Sequence, residues 1–95
     1  MKLRAYSVYD EKACYFMPPF YCKTDGEAIR AFGFVVQDPQ SSLSQIPSDI
    51  VLYHIGEFDD SIGILEPIKP MPLSRGIEHI KAVVSPIGGQ AEVSD

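Results

Sequence analysis

The stretch that most constrains the fold of this chain runs from Thr24 to Pro39, because it carries a helix start, a helical period and a helix stop. Thr24 followed three residues later by Glu27 is the pattern of a capping box. Apolar residues at helical spacing form one stripe, made of Ala28, Ile29, Phe32, Val35 and Val36. Pro39 ends the pattern, since proline disfavours helical geometry in the residue before it. The sequence therefore predicts a helix over 25–37 that lays one face on a sheet.

Segments with strand character flank this helix on both sides. Residues 2–10 and 13–23 read as a hairpin, and Pro18-Pro19 interrupts its second strand, which places that strand at a sheet edge. Residues 49–58 are apolar on both faces, as in a central strand. Phe58 to Gly63 has the chemistry of a turn, and 64–66 runs back as a fourth strand. The order ββαββ predicts an α+β fold: an antiparallel four-stranded sheet with one helix packed on one face.

The C-terminal part is rich in proline. Pro67, Pro70 and Pro72 predict an extended connector over 66–73, because proline is excluded from a helix interior. The apolar residues of 74–84 fit neither a helix nor a strand period well, so both remain open. We therefore expect one ββαββ domain over 1–68, followed over 69–95 by a Pro-rich connector and a partly disordered, extended tail.

Composition limits the function classes. The chain has 95 residues, 45% of them hydrophobic, which is enough for one core. A net charge of −5 argues against wrapping of nucleic acid by the whole surface. No apolar run reaches 18 residues and the N-terminus lacks a signal-peptide core, so we expect neither a membrane span nor secretion. Cys14 and Cys22 fit a reduced cytosolic protein better than a disulfide scaffold.

No motif for catalysis or cofactor binding stands out. The cysteines and histidines lack the paired spacing of a zinc site, and there is no P-loop, dinucleotide fingerprint or nucleophile elbow. Oxygen ligands for Ca²⁺ or Mg²⁺ gather around the predicted turn, at Glu57, Asp59, Asp60 and Glu66. Their spacing departs from the EF-hand loop, and turn chemistry alone accounts for such aspartates. We predict a protein that is not an enzyme and has no metal or cofactor.

Charge is distributed unevenly along the chain. Lysine and arginine are missing between Asp38 and Glu66, while five basic residues precede this acidic region. Basic residues interleaved with aromatic ones suit single-stranded nucleic acid, because cations meet phosphates and rings stack on bases. The candidate DNA-binding residues are Lys2, Arg4, Tyr6, Tyr15, Lys23, Arg30 and Phe34. The alternative is an ordinary solvated strand face, with Phe34 meeting a partner subunit.

Several segments resemble a known family. They are 23–32 (KTDGEAIRAF), 52–60 (LYHIGEFDD), 6–10 (YSVYD) and the Pro18-Pro19-Phe20 break. The chain resembles, over roughly residues 3–68, the small nonstructural protein of gokushoviruses, which are single-stranded-DNA microviruses of bacteria. The resemblance implies a DNA-binding or genome-synthesis factor in the host bacterial cytoplasm, absent from the capsid shell and without enzymatic activity.

These observations give two functional expectations. The first is a nonstructural phage protein that binds single-stranded DNA during viral genome synthesis or packaging. The second is an adaptor that docks on a phage or host replication or capsid protein through its sheet edge or acidic turn, without touching DNA. A homodimer is expected in either case, since Phe34 and surplus hairpin aromatics expose more apolar surface than a monomer usually keeps.

Overall fold

A computed structural model describes residues 1–80, which form five strands, one α-helix and two short 3₁₀ helices. The strands are β1 (Lys2–Asp10), β2 (Tyr15–Phe16), β3 (Phe20–Cys22), β4 (Ile50–Asp59) and β5 (Ile64–Arg75). The α-helix, α1, spans Asp25–Gln37. The 3₁₀ helices are Ser42–Gln45 and Gly76–His79.

The strands form one antiparallel sheet in which β4 lies between β1 and β5. Both β2 and β3 pair with the other edge of β1. The predicted α+β class and the central position of β4 are confirmed. The predicted second strand is two short strands, because Pro18-Pro19 cannot supply donors to the ladder between them.

Helix α1 begins and ends where the sequence places it. The Thr24 hydroxyl accepts a hydrogen bond from the Glu27 N–H at 3.2 Å. The Glu27 carboxylate accepts from the N–H of Lys23 at 3.0 Å, one residue before the partner that a capping box predicts. Asp38 closes the helix with its N–H donated to the Val35 carbonyl.

The core lies between α1 and one face of the sheet. The helix buries Ala28, Phe32 and Val36 against strand residues that are themselves fully or almost fully buried. These strand residues are Tyr6, Val8, Ile50 and Leu52. The buried helix residues follow one i, i+4, i+8 row, so the stripe is narrower than predicted and Val35 stays 42% exposed. Gly33 is buried instead, because the His79 ring lies against it. A Cβ at this position would come within 2.6 Å of that ring.

The segment predicted as an extended connector, 66–73, is extended and forms part of a strand of the sheet. β5 continues to Arg75, with Met71 opposite His54 and Pro72 opposite Tyr53. Two register irregularities accommodate the prolines, and an outermost strand tolerates them because its outer N–H groups need no partner. The strand thus passes through the predicted boundary at residue 68. A 3₁₀ helix follows over 76–79, and the predicted tail from residue 81 onward lies outside the described residues.

Candidate nucleic-acid interface

The two faces of the sheet have different surroundings. α1 and both 3₁₀ helices pack on what we call the covered face, where residues of all three contact the same core. Alternate strand residues point to opposite faces, so Leu3, Ala5, Ser7 and Tyr9 of β1 point away from α1. These four residues and their cross-strand neighbours define the helix-free face. No helical segment within residues 1–80 lies over it.

Aromatic rings gather on the helix-free face. Tyr9, Phe16 and Tyr53 form a three-ring cluster, with ring centroids 4.6 Å apart for Tyr9–Phe16, 5.4 Å for Phe16–Tyr53 and 6.1 Å for Tyr9–Tyr53. Phe16 keeps 42% of its surface exposed. A second pair, Tyr21 and Phe58, lies further along the sheet with centroids 5.7 Å apart. Flat, partly exposed rings of this kind offer surfaces on which other rings can stack.

The aromatic cluster consists of uncharged rings and is bordered by the Glu11–Arg75 ion pair, because Arg75 stands opposite Val51 and Val51 stands opposite Tyr9. Burial raises the pKa of the Tyr9 hydroxyl above its ordinary value of 10.0, so this phenol stays neutral at physiological pH. Ser7 and Val51 lie on the same face and are almost fully buried, because larger neighbours cover them. The cluster is therefore a packed apolar surface whose outer rings face solvent.

Tyr6 does not occupy the exposed position that the sequence suggests. It shares a strand face with Lys2, Arg4 and Val8, as alternation predicts, but α1 covers that face and Tyr6 is 0% exposed. Its hydroxyl donates to Asp25 Oδ1 at 2.8 Å. Burial and this hydrogen bond raise the pKa of Tyr6. A base cannot stack on a ring that the helix already covers.

Arg4 is committed to neighbours on the covered face. Its Nε lies 3.0 Å from Asp25 Oδ1 as an ion pair, without the alignment of a hydrogen bond. Its Nη2 lies 3.4 Å from Nδ1 of the buried His54, whose Nε2 lies 3.0 Å from the Gly56 carbonyl oxygen. Since a carbonyl only accepts, Nε2 carries the imidazole proton and Nδ1 accepts from Arg4. The Arg4 guanidinium is held between His54 and Asp25, the first residue of α1, and has little freedom to contact a phosphate.

The remaining predicted residues are dispersed. Lys2 stands opposite Asp59 and lines a small cleft with the carboxylates of Glu57 and Glu66. Arg30 and Phe34 lie on the outer face of α1, where Phe34 is 66% exposed.

Tyr15 and Lys23 flank the β1 edge. Tyr15 is 52% exposed and stands opposite Asp10, so it points to the other side of β2 from Phe16. Lys23 is exposed immediately after β3. The seven predicted residues thus do not converge on one surface. The sequence predicts surplus aromatics on the hairpin without singling out Phe16 and Tyr21. It misses Tyr53 and Phe58, whose only signal is their cross-strand register.

Ser74 and His79 approach each other closely, but their hydrogen bonds do not make a nucleophile. Ser74 Oγ lies 2.7 Å from His79 Nε2 and donates to Glu78 Oε1 at 3.2 Å. A carboxylate only accepts, so the single hydroxyl proton goes to Glu78 and His79 Nε2–H donates to Ser74. A catalytic base needs the opposite direction. The group ties the last 3₁₀ helix to the end of β5.

The acidic turn uses its carboxylates internally. Asp59 Oδ1 accepts from both the N–H and the hydroxyl of Ser61, and these bonds hold the pKa of Asp59 below its ordinary value of 3.8. Asp60 accepts from the N-terminal ammonium group at 2.8 Å. Gly63 completes the turn with φ of 72°. Within residues 1–80, no cluster of three or more metal-ligating side chains is present.

Comparison with known proteins identifies the family. The family model described as "Phage ORF5 protein" matches residues 3–80, which is most of the chain. The chain belongs to this family of phage proteins. No curated protein and no solved structure matches it. None of the helices in the described part is long and apolar enough to cross a membrane.

Proposed function

We propose that this phage protein binds single-stranded DNA on the helix-free face of its sheet, as the nonstructural protein of a gokushovirus-type microvirus. It acts in the host bacterial cytoplasm during genome synthesis or packaging, outside the capsid shell and without catalysis. The observation that carries the proposal is the Tyr9–Phe16–Tyr53 cluster with the neighbouring Tyr21–Phe58 pair. Stacking on rings is tolerant of sequence, because every base has a π-face.

Lysines near the aromatic groups support the same proposal. Lys12 lies in the turn that joins β1 to β2, three residues from Tyr9, and Lys23 follows β3. Within residues 1–80 neither ammonium group is in a salt bridge, whereas Arg4 and Arg75 are paired with Asp25 and Glu11. Cations that keep their charge available can neutralise phosphates beside stacked bases, even on a chain that is acidic overall.

Fluorescence anisotropy of a labelled single strand tests the proposal with two matched variants. Phe16→Ala removes an exposed ring from the helix-free face, and Phe34→Ala removes one from the outer face of α1. Loss of one stacked base is worth about 1–3 kcal/mol, so Phe16→Ala should weaken binding by about fivefold to a hundredfold. Phe34→Ala should bind like the natural chain.

Two results would contradict this function. The absence of saturable binding at low salt would reject DNA binding altogether. A loss of affinity in Phe34→Ala but not in Phe16→Ala would move the site to the outer face of α1, where the sequence places Arg30. Binding by the natural chain should also weaken with salt, with a log–log slope of about −0.7 for each phosphate contact.

A protein-docking adaptor is the second candidate, and exposed apolar side chains on β5 favour it. Ile64, Leu65 and Met71 are each at least half exposed. Such side chains suit contact with another protein more than contact with phosphate. Pull-down of replication and capsid proteins that survives high salt, in a chain that fails to bind DNA, would favour the adaptor.

The homodimer stays a prediction in both cases. The prediction rests on Phe34, which projects from the outer face of α1, and on the exposed aromatics of the hairpin. Sedimentation velocity of the full chain at high micromolar concentration should give a dimer, and Phe34→Ala should lower the dimer fraction. A monomer at all concentrations would contradict the prediction.

A further inference from the structure

A distinct pocket of about 250 Å³ opens on the helix-free face next to the Tyr21–Phe58 pair. Its floor is low because Ala5 and Gly56, which face each other across β1 and β4, contribute only a methyl group and a hydrogen. Gly56 cannot be enlarged, since a Cβ there would lie 2.6 Å from the Glu66 carbonyl oxygen of β5. Close approach of β4 and β5 therefore fixes the depth of the pocket.

The walls of the pocket are apolar and come from opposite edges of the sheet. Tyr21 and Pro19 stand on the β3 side, and Leu65 and Pro67 stand on the β5 side. Glu66 lines the pocket with its backbone, because strand alternation and its pairing with Glu57 turn its carboxylate to the covered face. A flat hydrophobic ring fits such walls, with Tyr21 able to stack on it.

A lysine follows each wall. Lys23 lies two residues beyond Tyr21, and Lys69 lies two residues beyond Pro67, which is about 7 Å along an extended chain in each case. Neither lysine is in a salt bridge within residues 1–80. An apolar slot with a lysine beyond each wall is complementary to the base of a nucleotide in a single strand, because that base is an aromatic ring with a backbone phosphate on each side. An apolar protein side chain would make no use of the paired cations.

We infer that the pocket between Tyr21 and Leu65 takes one unstacked nucleobase of a single strand, while Lys23 and Lys69 neutralise the phosphates on its two sides. The inference rests on the proposed function and assigns it a second, separate contact beyond the three-ring cluster. The lining offers almost no polar atoms with which to read a base edge. Binding through this pocket is therefore independent of sequence.

Salt-dependence measurements on the full chain test the cationic part without disturbing the core. The double variant Lys23→Gln, Lys69→Gln should reduce the magnitude of the log–log salt slope by about 0.7 for each lysine removed. Arg30→Gln, an exposed cation on the outer face of α1, is the matched control and should leave the slope unchanged. An unchanged slope in the double variant overturns the inference.

Affinity measurements test the base-binding part. Tyr21→Ala should weaken binding of a labelled oligothymidine by about fivefold to a hundredfold. Tyr15→Ala, which removes a comparably exposed ring from the other side of β2, should not. Oligomers of thymidine, deoxyadenosine and deoxycytidine should bind with affinities of the same order.

The outcomes separate this inference from the proposed function. If the natural chain binds DNA and Phe16→Ala weakens it, but Tyr21→Ala and the double lysine variant behave like the natural chain, the pocket is not a base site although the face binds DNA. If the natural chain does not bind at all, both fail. Strong preference for one homopolymer would also overturn the inference.

Discussion

The covered and helix-free faces of the sheet both carry aromatic side chains, but the rings have different fates. On the covered face, Tyr6 of β1 is 0% exposed and Phe32 of α1, which belongs to the same core cluster, is 2% exposed. On the helix-free face, Phe16 and Tyr21 keep 42% and 41% of their surface exposed. The residue types are the same, so the position of α1 decides which rings stabilise the fold and which remain available to a ligand.

The largest expected effect is on the covered face. Phe32→Ala should lower the free energy of unfolding by about 3–5 kcal/mol, because it leaves a cavity at the centre of the core. Phe34→Ala, two residues away and 66% exposed, should change it by less than about 0.5 kcal/mol. Urea unfolding measures both. A loss below about 1 kcal/mol for Phe32→Ala would mean that α1 does not bury this face.

The second-largest loss of stability should come from removing Asp25, the residue in the first turn of α1 that accepts a hydrogen bond from Tyr6. Asp25→Ala leaves the buried Tyr6 hydroxyl without its partner and should cost about 1–3 kcal/mol. The ion pair with Arg4 adds little, because both side chains are more than a third exposed. Asp25→Asn keeps an oxygen for Tyr6 and should lose less, as measured by thermal unfolding. Equal losses in the two variants would assign the effect to the charge instead.

On the helix-free face the same kind of change should affect stability less. Phe16→Ala removes ring contacts with Tyr9 and Tyr53 that are worth about 0.5–1.5 kcal/mol. Urea unfolding of Phe16→Ala beside Phe32→Ala measures how much more a ring on the covered face adds to the free energy of unfolding than a ring on the helix-free face. If Phe16→Ala is as destabilising as Phe32→Ala, the helix-free face is a second core rather than a binding surface.

The smallest expected effect is a pH dependence at the sheet end. Arg75 donates two hydrogen bonds to the Glu11 carboxylate and lowers the pKa of Glu11 below its ordinary value of 4.5. Because the pKa of Glu11 is lower in the folded state, the stabilisation by the Glu11–Arg75 pair is fully present above pH 4.5. It is lost as the pH falls through the folded-state pKa of Glu11. Glu11→Gln should therefore be slightly less stable at neutral pH and equal to the natural chain in acid.

Denaturant midpoints across the pH range check this. Glu66→Gln, whose carboxylate makes no salt bridge within residues 1–80, is the control for removing a carboxylate that has no cationic partner. A stability difference for Glu11→Gln that grows as the pH falls would contradict the assigned sign.

The parts of the fold that depend on local signals could be predicted from the sequence. Thr24, Glu27 and Pro39 determine where α1 begins and ends, and a run of apolar residues identifies β4 as central. The continuation of β5 could not be predicted, because proline reads as a strand breaker until the topology places the strand at an edge.

The candidate site was harder to predict than the fold. Alternation correctly groups Arg4 with Tyr6, but it does not say which side of the sheet α1 covers. The Tyr9–Phe16–Tyr53 cluster depends on pairing between residues more than forty positions apart, and a register shift beside Ile55 moves every later partner. Such pairing comes from tertiary packing and leaves no local pattern.

The prolines at both sides of the sheet limit how this protein can meet other chains. Pro67, Pro70 and Pro72 remove N–H donors from β5, and Pro18-Pro19 breaks the strand pairing on the opposite side. A foreign strand therefore finds no continuous ladder to join, which protects against amyloid-like growth despite the exposed Ile64 and Leu65. The sheet is closed to extension by a further strand, which leaves its faces and turns as the surfaces open to contact.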